Sequence, residues 1–414
     1  MRPELSSQRL WASVEALALH TEPDRPYTRR AFSPAFASGR AWLGEQFRAA
    51  GLATRIDQGG NLIGRREGTQ PGKPLVIGSH SDTVSHGGRF DGIAGVLAAL
   101  EVANALSDSQ TRLRHPLEVI DFLAEEPTDF GISCVGSRAM AGELGAGMLN
   151  ATDRDRRTLS QCLAEVGGDP AGIKHAFRGA NSVAASLELH IEQGPILESA
   201  GKSVGVVTAI AGIRRLTVDV TGRADHAGTT PLHMRKDALL AAADLIPRID
   251  MLARSIAVHD PAFVATVGRL DVIPNNSNVV PGRCTFTVDI RSRHDNLVEE
   301  FAAMVAQAIP RDTNAGMTTT VGVASSSPAT MCDARVRSAI LDTCAELGIS
   351  HMELPSGAGH DTTYMARLGP AGMIFIPCKE GRSHAPEEFA TPAQLAAGGV
   401  VLLHTLLRLD SILD

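Results

Sequence analysis

Histidines and carboxylates recur at the points where short apolar runs of this chain stop. Leu75-Val76-Ile77-Gly78-Ser79 ends on His80, with Ser81-Asp82 next and Gly88-Arg89-Phe90-Asp91-Gly92 a short step further. The run Leu117 to Leu123 leads through Ala124 into Glu125-Glu126, Leu187-Glu188-Leu189 leads into His190, and His384 follows Met373-Ile374-Phe375-Ile376. Imidazole nitrogens and carboxylate oxygens together suit zinc and its divalent neighbours. None of these groups is specific alone. A single His at a strand end is usually a satisfied polar side chain, and a Glu-Glu pair usually faces water. Five such groups, however, fall at one kind of position.

That position is set by the elements that carry them. The apolar runs have the length of buried strands, and helical patterns such as Ile93 to Leu106 lie between them. Strands alternating with helices imply a largely parallel α/β sheet, whose ligands gather at the carboxyl ends of its strands. The middle of the chain has another character. Leu216 to Val220 and Cys284 to Ile290 alternate apolar and polar residues, as a sheet with one wet face does. Helical patterns at Lys236 to Ile249 and Leu297 to Ile309, with strands at Phe263 to Val272 and Thr318 to Val323, complete a βαββαβ order. The expected fold is therefore α/β: a mixed, largely parallel catalytic sheet interrupted by an inserted ferredoxin-like domain. The boundaries read as residues 1–211 and 328–414 for the catalytic domain and 212–327 for the insert. The return hinge is expected at Ala324-Ser325-Ser326-Ser327-Pro328.

Composition removes other classes. The 39 basic and 46 acidic residues give a net charge of −7 without long runs of one sign, which argues against nucleic acid as a partner. Aromatics at 4% leave little for a stacking platform. The N-terminal residues mix Arg2, Glu4, Arg9 and Glu15 among apolar ones, so no secretory signal is expected. The apolar run Leu395 to Leu409 is broken by His404 and Arg408 and reads as a packing helix, so no membrane partner is expected either. The six cysteines are scattered without a Cys-X-X-Cys pair, which favours free thiols and a cytoplasmic location.

The strings Gly78 to Val84, Gly88 to Gly92, Ala124-Glu125-Glu126 and His190-Ile191-Glu192-Gln193-Gly194-Pro195 resemble the dinuclear-metal amidohydrolases. These comprise N-carbamoyl-L-amino acid hydrolase, allantoate amidohydrolase and β-ureidopropionase, in a clan shared with metallopeptidases and aminoacylases. The likeness continues through Asp225-His226-Ala227-Gly228-Thr229-Thr230-Pro231, Asn278-Val279-Val280-Pro281-Gly282, Ser356 to Asp361 and Ser383-His384, in order and over nearly the whole chain.

The resemblance implies two divalent metal ions, zinc first, with manganese, cobalt or nickel as alternatives. One would be held by His80, Asp91 and His384, the other by Asp91, Glu126 and His190, with Asp91 bridging. Glu125 would be the general base and proton shuttle, and Asp82 would orient the His80 imidazole. His226 would polarise the scissile carbonyl, reaching it from a partner subunit of a homodimer. Asn278 and Arg291 would bind the substrate's amide and carboxylate, the planar Arg fork matching the latter. Gln193 would hydrogen-bond the ureido group, Gly357 and Ala358 would let backbone approach the ligand, and His360 would line the pocket. Peptidase and aminoacylase relatives usually carry a carboxylate where His190 stands, so the implied reaction is hydrolysis of a carbamoyl or ureido C–N bond. Allantoate or β-ureidopropionate as substrate, an aminoacylase or dipeptidase activity, and a non-catalytic binding relative remain the alternatives. Thr229 leans toward N-carbamoyl amino acids, since allantoate enzymes often have Asn there.

Overall fold

The computed structural model describes residues 2–309 and 316–413. Cα proximity divides the chain into two units, Met1–Thr208 with Cys332–Asp414, and Ala209–Met331.

The first unit holds most of a nine-stranded sheet, the remainder of which lies within residues 209–331. Its strands are β1 (Ala53–Ile56), β2 (Leu62–Arg66), β3 (Leu75–His80), β4 (Leu117–Phe122), β5 (Ala185–Ile191) and β6 (Val204–Ile210). After the second unit's β7 (Gly212–Thr221), β8 (Asp225–His226), β9 (Val264–Ile273), β10 (Val279–Val280), β11 (Arg283–Ser292) and β12 (Thr318–Ser327), the sheet resumes. It takes up β13 (Thr330–Met331), β14 (His351–Ser356) and β15 (Ala371–Ile376). The order is β1-β2-β4-β3-β5-β15-β6-β13, with β14 also against β6. The four central strands β4, β3, β5 and β15 run parallel, and the flanking pairs are antiparallel. Every residue of β3, β4, β5 and β15 is buried, as strands covered on both faces must be. In-register pairing sets His80 beside Phe122 and His190 beside Phe375, so four carboxyl ends share one edge.

Two apolar helices cover this sheet. The helix Ile93–Asp108 is buried nearly all round, the pattern of a core helix rather than a surface one. Pro392–Ile412 begins with Pro at its first turn and a capping box in which Thr391 and Gln394 satisfy each other's backbone N–H. It is long and apolar enough to cross a membrane, yet 56% of its most apolar window is buried in this structure. Leu395, Val401, Leu402, Leu406 and Leu409 join the same core as Val96 and Leu100.

In the second unit β12-β7-β11-β9 form an antiparallel sheet, and β8 pairs with β10 as a separate ribbon. Leu216, Val218 and Val220 of β7 and Cys284, Phe286, Val288 and Ile290 of β11 face the helices Ala238–Ala257 and Asp295–Ala308. Alternate residues of these strands stay partly exposed. Two details depart from the sequence reading. The first helix continues past Pro247 to Ala257 instead of ending at Ile249. The serines expected in a hinge belong to β12: Ser325, Ser326 and Ser327 pair with Arg215, Arg214 and Ile213 after a bulge at Val323. An edge strand asks little of its side chains, so a serine run can stay in register. The unit is also wider than 212–327, because β6 extends to Ile210 and takes β13 alongside it.

Candidate active site

Each chemical group leaves the sheet on a turn with its own local cause. His80 is the last residue of β3. Past β4, the N–H of Leu123 donates to Asn61 Oδ1 (3.1 Å), and Cys134, Val135 and Gly136 N–H groups donate to the carbonyls of Glu125, Ala124 and Leu123. That pairing turns the chain so sharply that Ala124 sits at φ +52°. Gln193 and His384 also lie in the left-handed region, at +58° and +56°. Each such non-glycine residue costs roughly 1–3 kcal/mol, and such strain concentrates where side chains must be aimed. The Asp91 loop needs two glycines. A Cβ on Gly92 (φ +66°) would lie 2.4 Å from the His80 ring, and one on Gly88 would collide with the Glu388 carboxylate.

Asp91 is the centre. Its Oδ1 lies 3.3 Å from His190 Nε2 and 3.6 Å from His80 Nε2. Its Oδ2 lies 3.3 Å from His384 Nε2, which is also 3.3 Å from Glu126 Oε1. Two potential metal-binding groups result: His80, Asp91 and His190, and Asp91, Glu126 and His384. The five expected ligands are together, but the histidines are shared out differently from the expectation. His80 joins His190 instead of His384, because β3 and β5 are sheet neighbours and their rings stand 5.8 Å apart. The segment after β15 carries His384 to the other oxygen of Asp91, beside Glu126. A third group, Glu188, His190 and His360, has the proximity but not the free donors. Both Glu188 oxygens are taken, Oε1 by Ser79 Oγ–H and Oε2 by the N–H and hydroxyl of Thr362.

The donor set fits divalent cations. His80 Nε2 and Glu126 Oε1 are buried without a hydrogen-bond partner among the described residues, and both point into the cluster. The Nδ1 atoms of His80 and His190 are held by the carbonyls of Asp82 (3.1 Å) and Ile191 (2.8 Å), which leaves the lone pair on each Nε2; that of His190 accepts the Gly92 N–H at 3.1 Å. Asp82 thus meets His80 Nδ1 through its carbonyl, with its Oδ1 3.6 Å from the same nitrogen. Its carboxylate accepts the N–H groups of Glu125 and Glu126, both at 3.2 Å, and so fixes the Glu pair.

Glu125 Oε2 lies 3.6 Å from His80 Nε2, and the Cys134 thiol reaches Glu125 Oε1 at 3.5 Å. Burial pushes the Glu125 carboxyl well above its usual range; His80 opposes this and Asp361 and Glu126 add to it. Asp91 goes the other way, held well below despite burial by His190, His384 and His80. His384 is raised to about 11 by the neighbouring carboxylates of Asp91 and Glu126. The two carboxyls next to one another in sequence therefore serve different partners, Glu126 facing His384 and Glu125 facing the edge of the first group.

The expected substrate contacts divide. Gln193 Nε2 donates to Asp91 Oδ2 at 2.6 Å rather than standing clear, and its Oε1 is buried without a hydrogen-bond partner among the described residues. His360 packs edge-on against His190 at 4.6 Å and is 1% exposed, while Ser356 Oγ meets its Nε2 at 2.8 Å and the N–H of Ala358. Burial and the neighbouring His190 hold the His360 imidazole well below its ordinary value. Gly357 is exposed and Ala358 partly so.

In the second unit His226 and Asn278 share the β8–β10 ribbon, where His226 pairs with Val279 and the Asn278 carbonyl accepts the Ala227 N–H at 2.9 Å. His226 is exposed, and its Nδ1 accepts N–H groups of Gly228 (3.0 Å) and Thr229 (3.2 Å), which leaves the proton on Nε2. Arg291 stands at the far end of β11, its Nε on Asp289 at 2.7 Å. Since the ribbon joins β11 at Arg283, the strand separates them by about 27 Å at about 3.4 Å per residue. One copy of this unit does not bring His226, Asn278 and Arg291 together.

Sequence reasoning passed over several buried groups. Glu188 is two residues from His190 on one strand and so on the same side, a signal that could have been read. Asp361, fully buried, accepts the Ser137 hydroxyl at 2.5 Å. Ser383 and Glu388 touch Asp91 and its loop.

The model of peptidase family M20/M25/M40 matches residues 76–408. The N-carbamoyl-L-amino-acid amidohydrolase of Paenarthrobacter aurescens is 38% identical over 411 residues, 98% of each chain. The allantoate amidohydrolase of Bacillus subtilis is 35% identical over 400 residues, 96% of each. A solved amidase of the hydantoinase/carbamoylase family from Burkholderia multivorans has 35% identity and a TM-score of 0.87, covering 98% of both chains. With likeness running from end to end and the ligand edge intact, the chain belongs to peptidase family M20/M25/M40.

Proposed function

We propose that the protein is a metal-dependent hydrolase of the carbamoyl C–N bond of N-carbamoyl-L-amino acids, releasing amino acid, ammonia and carbon dioxide. The observation that carries this reading is Asp91, which offers its two oxygens to two separate groups with Glu125 beside one of them. The name and end-to-end likeness of the Paenarthrobacter relative support the substrate class. A pair of divalent cations, zinc or else manganese, cobalt or nickel, would polarise the carbonyl and bring the pKa of a coordinated water to about 7.

The chain's own groups do the rest. Glu125 takes a proton from the attacking water and passes it to the leaving nitrogen. Its neighbour Glu126 is engaged with His384, so the roles of base and ligand are kept apart. His226 donates Nε2–H to the developing oxyanion, a role favoured by the two amides that hold its Nδ1 as acceptor. Arg291 grips the carboxylate and Asn278 the amide. Because β11 separates these groups, we infer a homodimer in which the ribbon of one subunit serves the site of the other. Unit 212–327 would then be both lid and dimerisation domain. Six cysteines, all buried and unpaired, support a cytoplasmic location.

Ammonia release from a panel of N-carbamoyl-L-amino acids, allantoate and β-ureidopropionate tests the reading. Activity should be lost on chelation and return with added metal. No turnover of any ureido compound by fully metal-loaded protein would sink it. The Bacillus relative keeps allantoate as the second reading, and preference for it in the panel would replace the first.

A further inference from the structure

Asp91 and His384 arrive on loops nearly three hundred residues apart, and one buried carboxylate ties those loops together. Glu388 is 1% exposed. Its Oε1 accepts the N–H groups of Phe90 at 2.8 Å and Asp91 at 3.0 Å, and its Oε2 is 2.9 Å from the Ser383 hydroxyl. That hydroxyl also lies 2.5 Å from Asp91 Oδ2, the oxygen facing His384. Phe90 and Phe389, each next in sequence to one of the joined acids, pack edge to face at 5.7 Å with Trp11 against both. Gly88 must lack a side chain for the loop to close over Glu388.

A carboxylate that bridges two groups must be held in rotation as well as in place. Rotating Asp91 about its Cβ–Cγ bond would take both oxygens off their partners at once. We propose that Glu388 and Ser383 form a positioning relay for Asp91: Glu388 fixes the backbone from which the side chain departs, and Ser383 fixes the twist of its carboxylate. This rests on the two-cation reading above. It concerns how the chain prepares the site, and it is independent of which ureido compound is cleaved.

The test is Co²⁺ binding to metal-free protein, followed by visible absorption and by competition with a chelating dye. Ser383→Ala should weaken binding by about 10–100-fold and alter the Co²⁺ spectrum, the range seen when partners of ligands are lost. Ser383→Thr, which keeps the hydroxyl, should restore both. Glu388→Gln retains an acceptor for the two amides and should weaken Co²⁺ less than Glu388→Ala. Because Glu388→Ala leaves two buried amides unpaired and can fail to fold, Ser383→Ala is the deciding variant. In the double variant Ser383→Ala/Glu388→Gln the losses should not add, since both act on one carboxylate. Wild-type affinity and spectrum in Ser383→Ala, a change in thermal midpoint alone, or additive losses would overturn the relay. Relay-dependent Co²⁺ binding without ureido hydrolysis would leave the relay standing and remove the substrate assignment.

Discussion

At the scale of single residues, the site divides labour between adjacent acids. Glu125→Gln should lower kcat by at least about 10²–10⁴-fold while the purified protein still carries its metal; turnover near wild type would take the proton-transfer role from Glu125. His360 gives a pH prediction. Burial and His190 depress its value when folded, so the unfolded chain binds the proton more readily. Its contribution is therefore present above the ordinary value of 6.5 and is lost as pH falls below it. Chelated His360→Gln should lose less thermal stability than chelated wild type between about pH 7 and about pH 5. Equal losses in the two would show that His360 takes up a proton as readily in the folded chain as in the unfolded one. Whereas Asp91 and His384 sit in loops, His80, Glu126 and His190 were legible as candidate ligands because they follow apolar runs. Glu388 was not, since a Glu-Glu pair after a proline looks like any solvated turn until the Phe90 loop is seen to close on it.

Elements explain what residue types leave open. Which histidines would share an oxygen of Asp91 depends on strand order, and β3 beside β5 decides it. Apolar runs announce strands without announcing their neighbours, so the pairing of His80 with His190 lay beyond sequence patterning. The serine run misled for a related reason: serine is common in loops, but β7 offers it a ladder and the bulge at Val323 absorbs the misfit. The Asp91 loop yields a sharper expectation. Gly92→Ala places a methyl against the His80 ring in a left-handed conformation, which should cost roughly 1–3 kcal/mol in calorimetry. Metal content should fall with it, and a fully loaded, equally stable variant would show that the loop can move aside.

For the whole molecule, the decisive question is whether one copy suffices. Arg291→Ala and His226→Ala should each be nearly inactive alone. Co-expressed, they should recover about a quarter of wild-type activity, since half the dimers are mixed and each mixed dimer has one intact site. No recovery would mean that every site draws its groups from a single chain. The two-unit plan was visible in the switch from continuous apolar runs to alternating ones. Its seams were not, because β6 and β13 carry the sheet's pairing a few residues beyond the change of pattern.

Glu388 follows Asp91 by nearly three hundred residues in a chain that is made from its N-terminal side. Until it emerges, the N–H groups of Phe90 and Asp91 lack this acceptor, and the carboxylate of Asp91 has Gln193 but not Ser383 on its Oδ2. A nascent chain on the ribosome therefore holds His80, Asp91 and His190 long before it holds His384. On the two-cation reading, the group of Asp91, Glu126 and His384 would be completed last, and a message truncated before residue 383 would lack it.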